Sequence, residues 1–511
     1  MNENKKIAYN TIIVYLKLLL STIIGLYTSR VLLHALGASD YGLYNVVGGI
    51  VVLLNTIAIT MGVTSQRYIS VEIGKKEKGN IRKVFNTVFV VHLALAIGFI
   101  VLCGLIGTIY CWNGLNVEEH RRPDAVFVLW CSLLTAALAV VSFPCQGMII
   151  AREKFLFQSI IELSQRVGKL LIIVLIVYDY KGNRLRIYAL LIALLQALQP
   201  LCYYLYCRIN ENKSIKWQLN KKIKDYLDIA KYTGWLLVSS VAFLAREQGC
   251  AVVINFFFGT LVNAAYGVAL QVQSCIQLFV KGVAQATAPQ IMKNVGGNND
   301  ARSLMLVYKI SKYCFLIMLM IAIPVIVSIK EILVLWLGKV PQYTDIFICL
   351  LLLNGLILCL NSGFDNYIQA TGRVKKNQIG YAFINIMVLP ITIIGFKCNF
   401  PCYTAIGVMA ILSVFTVIFQ CHILQGLSNF KIVTYWKLTL FPCLKTFLLS
   451  LPVLVIIFFY PSVSVPSFLI NSLVTLVWCL GIILVFGLDK EEFCIIKKVI
   501  TKSFVKSLNK I

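Results

Sequence analysis

Acidic residues are scarce in this chain. Asp and Glu number 21 against 47 Lys and Arg, and the four types together make up only 13% of 511 residues. Soluble proteins carry roughly 25% charged residues. So little charge cannot clothe a water-facing surface of this size, which excludes a soluble globular protein. Histidine is rare, at positions 34, 92, 120 and 422, and none of the 17 Cys forms a C-x-x-C pair. No metal site or cofactor is therefore expected. Paired catalytic carboxylates and nucleophile constellations are also missing. The net charge of +26 would point to nucleic acid in a soluble protein. Here no nucleic-acid partner is expected, because basic residues collect in the cytoplasmic loops of membrane proteins.

Apolar residues fill the space that charge leaves: 59% of the chain is hydrophobic. The apolar runs from Ala8 to Leu488 are each close to the roughly 20 residues that cross a hydrocarbon core as helix. Barrel strands alternate over about ten residues and do not fit. The pattern predicts an all-α polytopic membrane protein with about fourteen spans: 10–33, 43–66, 86–110, 125–150, 159–178, 187–207, 234–258, 264–288, 311–335, 346–370, 379–396, 404–424, 440–460 and 467–488. The loops on the side of the two termini hold 31 Lys and Arg, and the alternate loops hold 7. That bias predicts cytoplasmic termini. The longest outside loop runs only from Cys111 to Asp124, too short for an external catalytic domain. The nearest Cys pair, Cys398 and Cys402, falls in an outside loop and fits either a disulfide or two free thiols. The basic tail 489–511 places Ile496, Val499, Ile500, Phe504, Leu508 and Ile511 on one helical face. It reads as an amphipathic surface helix on anionic lipid or as a solvated orientation signal.

The two halves resemble each other. A shift of 223 places Tyr9 on Tyr232, Thr64 on Thr287 and Gly74 on Gly297, and a shift of 221 places Ala151–Lys154 on Gly372–Lys375. The expected organisation is a six-helix lobe (1–210), a cytoplasmic linker (211–233), a second six-helix lobe (234–427), two additional helices (428–488) and the tail (489–511). Six helices per copy give a parallel repeat, an arrangement of secondary transporters that hold substrate between the copies.

Charges inside spans are costly unless they face a cavity or a partner. Arg246 and Glu247 lie near the middle of the seventh span, beyond snorkelling reach. The eighth carries Gln273, Gln277, Lys281 and Gln285 at spacings of four, one stripe along a helix. The tenth carries Asn354, Asn361, Asp365 and Gln369, and the eleventh Tyr381 and Asn385. The first carries Asn10, Lys17, Ser21 and Thr28 on one face, with Arg30 near its outer edge. The candidate cationic cavity is Arg246, Lys281, Lys17 and Arg30, and such a cavity suits an anionic substrate. Gln273, Gln277, Gln285, Asn361, Gln369 and Asn385 are candidates to line it. Glu247 and Asp365 would bind a coupling H⁺ or Na⁺, or hold the cations in place; the membrane potential is an alternative drive.

The stretch Ser29–Gly49, SRVLLHALGASDYGLYNVVGG, resembles the start of bacterial Wzx-type polysaccharide flippases of the multidrug/oligosaccharidyl-lipid/polysaccharide exporter superfamily. Thr64–Ser70 (TSQRYIS) and Gln369–Gln378 (QATGRVKKNQ) are similar to its loops after the second and tenth helices. The resemblance implies two six-helix lobes around a cationic cavity. It also implies a non-catalytic transporter of undecaprenyl-diphosphate-linked oligosaccharides in the bacterial inner membrane. The partners it implies are that substrate, membrane lipids and the polysaccharide polymerase machinery. Gly37, Asp40, Tyr41, Gly42 and Arg67 carry over as architecture. The rival functions are a multidrug or small-molecule exporter of the same superfamily, expected to need an acidic cavity, and a membrane polysaccharide polymerase or ligase.

Overall fold

The computed structural model describes residues 3–113, 119–179, 183–337, 340–459, 465–489 and 492; side chains are described for all of these except 3–8, 26, 29–30, 33–59, 454–459 and 465–466. The tail beyond residue 492 and the side chains of Arg30, Asp40 and Tyr41 lie outside that description, as do the surroundings of Gly37 and Gly42.

Among the described residues the regular structure is helical throughout. The helices are α1 (Glu3–Gly74), α2 (Ile81–Asn113), α3 (Arg122–Ala151), α4 (Phe155–Asp179), α5 (Arg184–Asn210), the single turn α6 (Asn212–Ile215), α7 (Ile223–Gly296), α8 (Asp300–Val327), α9 (Ile329–Leu337), α10 (Thr344–Cys359), α11 (Phe364–Thr371), α12 (Lys375–Lys397), α13 (Thr404–Leu427), α14 (Ile432–Tyr435), α15 (Phe441–Phe459) and α16 (Val465–Ile482). Nine described helices are long and apolar enough to cross a membrane, or ten if a bent pair counts as one span. The chain is a multi-pass membrane protein.

The expected spans fall on these helices, apart from end residues and internal breaks. α1 has 72 residues and α7 has 74. At 1.5 Å per residue each is roughly 110 Å of helix, more than three times a hydrocarbon core of about 30 Å. Each therefore covers two spans. In α7 the break is at Gly259, whose φ of 81° and ψ of 179° are open to glycine and hardly to any other residue. Two further spans are interrupted. The ninth breaks at Ser328, between α8 and α9, just after Pro324. The tenth bends by 45° between α10 and α11.

The chain divides into two compact units. Unit 1 comprises Met1–Ala242, Gln285–Ser303 and Tyr367–Ala382, and unit 2 comprises Phe243–Ala284, Leu304–Asn366 and Phe383–Ile511. Unit 1 therefore takes helix ends from the second sequence repeat. Its core is built by α1, α3, α4 and α5 around Leu129, Leu133, Ile173, Leu185 and Tyr188, all essentially inaccessible. The polar stripe of the first span turns inward, with Asn10, Lys17, Ser21 and Thr28 all buried. Lipid-facing positions stay apolar, as at Leu102, Leu105 and Ile109 of α2. Cys398 and Cys402 are free thiols, one exposed and one buried.

Arg67 illustrates how the loop motifs act. It lies at the end of α1 and donates from Nε to the Gln369 carbonyl at 3.1 Å and from Nη2 to the Ala370 carbonyl at 3.2 Å. Its guanidinium also covers the rings of Tyr68 and Tyr232, at 4.3 and 5.3 Å from their centroids. A cation at a helix C-terminus satisfies carbonyls that have no helical partner, here those ending α11. Gly372 follows with φ of 77°, and a Cβ there would collide with the Arg67 guanidinium. We expect Gly372→Ala to destabilise the protein by about 1–2 kcal/mol from backbone conformation alone. A melting curve in detergent that matches the parent protein would refute this.

Candidate functional site

The charged groups of the seventh and eighth spans come together in unit 2. Arg246 is 7% exposed. Its Nη2 is 4.0 Å from Glu247 Oε1, the outer limit of an ion pair, and its guanidinium carbon stands 4.6 Å above the Phe243 ring. The Arg246 Nε has no hydrogen-bond partner among the described residues. Glu247 also lies within electrostatic range of Lys281. The turn at Gly259 thus brings a cation from each leg of α7 to one carboxylate.

Tyr266 belongs to the same cluster. It lies within electrostatic range of Glu247, Cys250 and Arg246. It is fully buried, its ring meets Phe347 edge-on with centroids 6.0 Å apart, and its hydroxyl has no partner among the described residues. A buried polar group without a partner costs about 1–3 kcal/mol. Two such groups beside one carboxylate form an arrangement that a polar or anionic ligand would complete. Sequence reasoning passed over Tyr266, because one tyrosine in an apolar run carries no charge signal.

The other candidates divide among different surroundings. Gln273 is buried and donates to the Leu351 carbonyl of α10 at 3.4 Å. Gln277 and Gln285 are half-buried and Lys281 is exposed; Gln285 belongs to unit 1. Asn361 donates to Gln420 Oε1 at 2.6 Å, and Gln420 Nε2 donates to Asp365 Oδ1 at 2.9 Å. Asp365 is thus held in a neutral amide chain linking α11 to α13, whereas Glu247 stands among cations. Asn385 is buried in α12. Gln369 lies in unit 1, where its carbonyl receives Arg67. Lys17, also in unit 1, pairs with Glu162 of α4 at 3.0 Å, and Gln158 donates to the same carboxylate at 2.7 Å. A further buried cation, Lys312 of α8, stands outside the candidate set drawn from sequence. It is 1% exposed and reaches Glu492 at 2.7 Å and Asp489 at 3.2 Å.

Residues 4–295 match the family described as "Polysaccharide biosynthesis protein". The chain belongs to that family. The matched region includes Lys17, Arg246, Glu247 and Lys281. The fold is also that of solved transporters. An outward-facing multidrug resistance MATE family transporter of the MOP superfamily aligns with a TM-score of 0.70 at 14% identity, covering 81% of this chain and 93% of its own. A MATE structure in complex with MaD3S gives 0.70 at 13%, covering 83% and 97%. A MOP superfamily transporter from Pyrococcus furiosus, described as having a binding pocket of reverse polarity, gives 0.64 at 12%, covering 80% and 93%. No curated protein gives a significant match. The family is one of polysaccharide biosynthesis, and the fold is one shared with solved transporters.

Proposed function

We propose that this protein moves an undecaprenyl-diphosphate-linked oligosaccharide repeat unit across the bacterial cytoplasmic membrane by alternating access. The product would feed a surface polysaccharide of O-antigen or capsule type. The observation that carries this reading is the Arg246 cluster: a buried guanidinium whose Nε has no partner among the described residues, and a second cation, Lys281, near the same carboxylate. The diphosphate would take the place of the missing partners of Arg246. Glu247, released from its cation, is a group that H⁺ or Na⁺ would occupy. Lys17 is already neutralised by Glu162 and would serve only if the substrate displaced that carboxylate. Deleting the gene is expected to stop display of a surface polysaccharide while the lipid-linked unit still forms. Failure of the lipid-linked unit to assemble would move the protein to an earlier enzymatic step.

Export of a multidrug type is the second reading, favoured by the likeness to MATE transporters. A cationic drug would be repelled by Arg246 and Lys281, so drug resistance should be unchanged by the deletion.

The orientation we propose has both termini in the cytoplasm, on the strength of the Lys and Arg bias between loops. Reporters fused at Lys222 should then report cytoplasm, and at Tyr343 the outside. The opposite signals at both positions would invert the proposal.

A further inference from the structure

One end of unit 1 holds two contacts that the sequence repeat relates to each other. At the centre, the end of α1 crosses the end of α7. A Cβ on Gly74 would overlap the Lys293 carbonyl, and a Cβ on Gly296 would overlap the Val71 carbonyl. A Cβ on Gly297 would come within 2.9 Å of the Gly74 carbonyl oxygen. The repeat shift of 223 carries Gly74 onto Gly297. The two helix ends therefore meet backbone to backbone at equivalent positions, which glycine alone permits.

A polar clasp flanks the crossing on each side. The first is Arg67 on the carbonyls of Gln369 and Ala370. The second is Glu153, between α3 and α4, which takes Lys293 Nζ at 2.5 Å and Gln290 Nε2 at 3.2 Å. The same shift carries Arg67 onto Gln290, and the shift of 221 carries the loop at 151–154 onto 372–375. Each clasp thus runs from the end of the second helix of one repeat, in the first case to the end of the fourth helix of the other and in the second to the loop just after it. Glu153 holds a left-handed backbone with φ of 60°, and its side chain is only 4% exposed. A glutamate in that conformation is strained and persists where its surroundings over-determine it. The two clasps differ in chemistry. One is a cation on carbonyl dipoles, and the other is a full ion pair between a buried carboxylate and a lysine.

We infer that this end of unit 1 is a closed gate, and that the Glu153–Lys293 pair is its lock. The inference rests on the reading of the chain as a transporter. The glycine crossing is the seam, because it is the place where backbone meets backbone with no side chain between. The two clasps hold the seam shut, and both must release before a polar cargo passes this end. Losing the attraction between Glu153 and Lys293, or setting a second cation against Lys293, destabilises the closed form, so breaking the lock should shift the population towards the open form.

The test reads opening directly. Thr287 lies about one turn before Gln290 on α7 and is 3% exposed. Thr287→Cys is introduced with Glu at position 153 intact, with Glu153→Lys, and with Glu153→Lys combined with Lys293→Glu. Each is treated with a maleimide in membrane vesicles open to this face. Peptide mass mapping separates the new thiol from the 17 native Cys. We expect the labelling rate at position 287 to rise about tenfold or more in Glu153→Lys, the change that a shift of one order in an equilibrium gives. It should return to within about twofold of the starting rate in the charge-swapped protein. If Glu153→Lys fails to accumulate, Glu153→Gln is read by the same rise. An unchanged rate in a normally inserted Glu153→Lys or Glu153→Gln protein overturns the lock, as does failure of the swap to restore protection. The assay needs no substrate. A labelling response with no polysaccharide defect on gene deletion would keep the gate and reject the proposed cargo.

Discussion

Arg246→Ala is expected to abolish or sharply reduce translocation while the protein still accumulates in the membrane. Among the described residues the Nε of the buried guanidinium has no hydrogen-bond partner, and its contact with Glu247 is a long 4.0 Å. It is therefore available to a ligand in a way that Lys17, at 3.0 Å from Glu162, is not. A guanidinium offers planar, paired donors to phosphate oxygens, a geometry that an ammonium cannot copy. Charge-assisted contacts of this kind contribute about 1.5–3 kcal/mol each. Losing one weakens substrate binding by about tenfold to a hundredfold. Arg246→Lys should recover only part of the activity. A purely structural role makes a different forecast. Protein abundance would fall in Arg246→Ala, and Glu247→Gln added to it would restore both abundance and activity. Measuring surface polysaccharide and protein level together separates the two. Normal activity in a stably expressed Arg246→Ala protein would remove this residue from the site.

The largest effect on stability is expected at Lys312. Its ammonium is buried against Glu492, which also accepts from Tyr313 at 2.7 Å. Lys312→Met would leave the Glu492 carboxylate, 5% exposed, with only the longer 3.7 Å contact from Lys309 as a cationic partner among the described residues. Breaking a buried pair on one side costs about 3–5 kcal/mol, and the remaining Lys309 contact offsets part of that cost. We expect a clear fall in the melting temperature in detergent, and partial recovery when Glu492→Gln is added. An unchanged melting temperature would show that the pair contributes nothing net. The pH dependence follows the same contact. Burial alone would push the Glu492 carboxyl up, but the hydrogen bonds from Lys312, the Asp489 amide and Tyr313 outweigh it and hold the group below its ordinary value of 4.5. The stabilisation is therefore whole above that value and is lost as pH falls through the lower folded one. Melting temperatures between pH 7 and pH 3 should show the loss in the parent protein and little of it in the double variant.

Charge in the middle of an apolar span is the signal by which part of the candidate site is legible in sequence. Arg246 and Glu247 stood out because mid-span charge is rare, and they do share one cluster with Lys281. The glutamine stripe of the eighth span was visible as a spacing of four, and Gln273 is buried as that stripe requires. Asp365 and Asn361 looked equivalent to Glu247 and Gln273. Their engagement with Gln420 was not readable, because Gln420 lies 55 and 59 residues away on α13. Tyr266 left no signal, since its hydroxyl stands out only because it has no partner among the described residues of the fold.

What the sequence by itself determined is the class of the molecule, its helical spans and the inward face of the first helix. These follow from local rules: lipid admits no unsatisfied backbone, and the length and face of each apolar run are written in consecutive residues. What only the tertiary structure decided is the partner of each buried charge. Lys312 meets Glu492 across 180 residues, and Lys293 meets Glu153 across 140. Periodicity places such a charge on a face of its own helix, but the opposing carboxylate depends on which distant helix packs there and in what rotation. A lysine neutralised by its own fold and an arginine whose Nε finds no partner among the described residues therefore look alike in sequence and differ only once the helices are assembled.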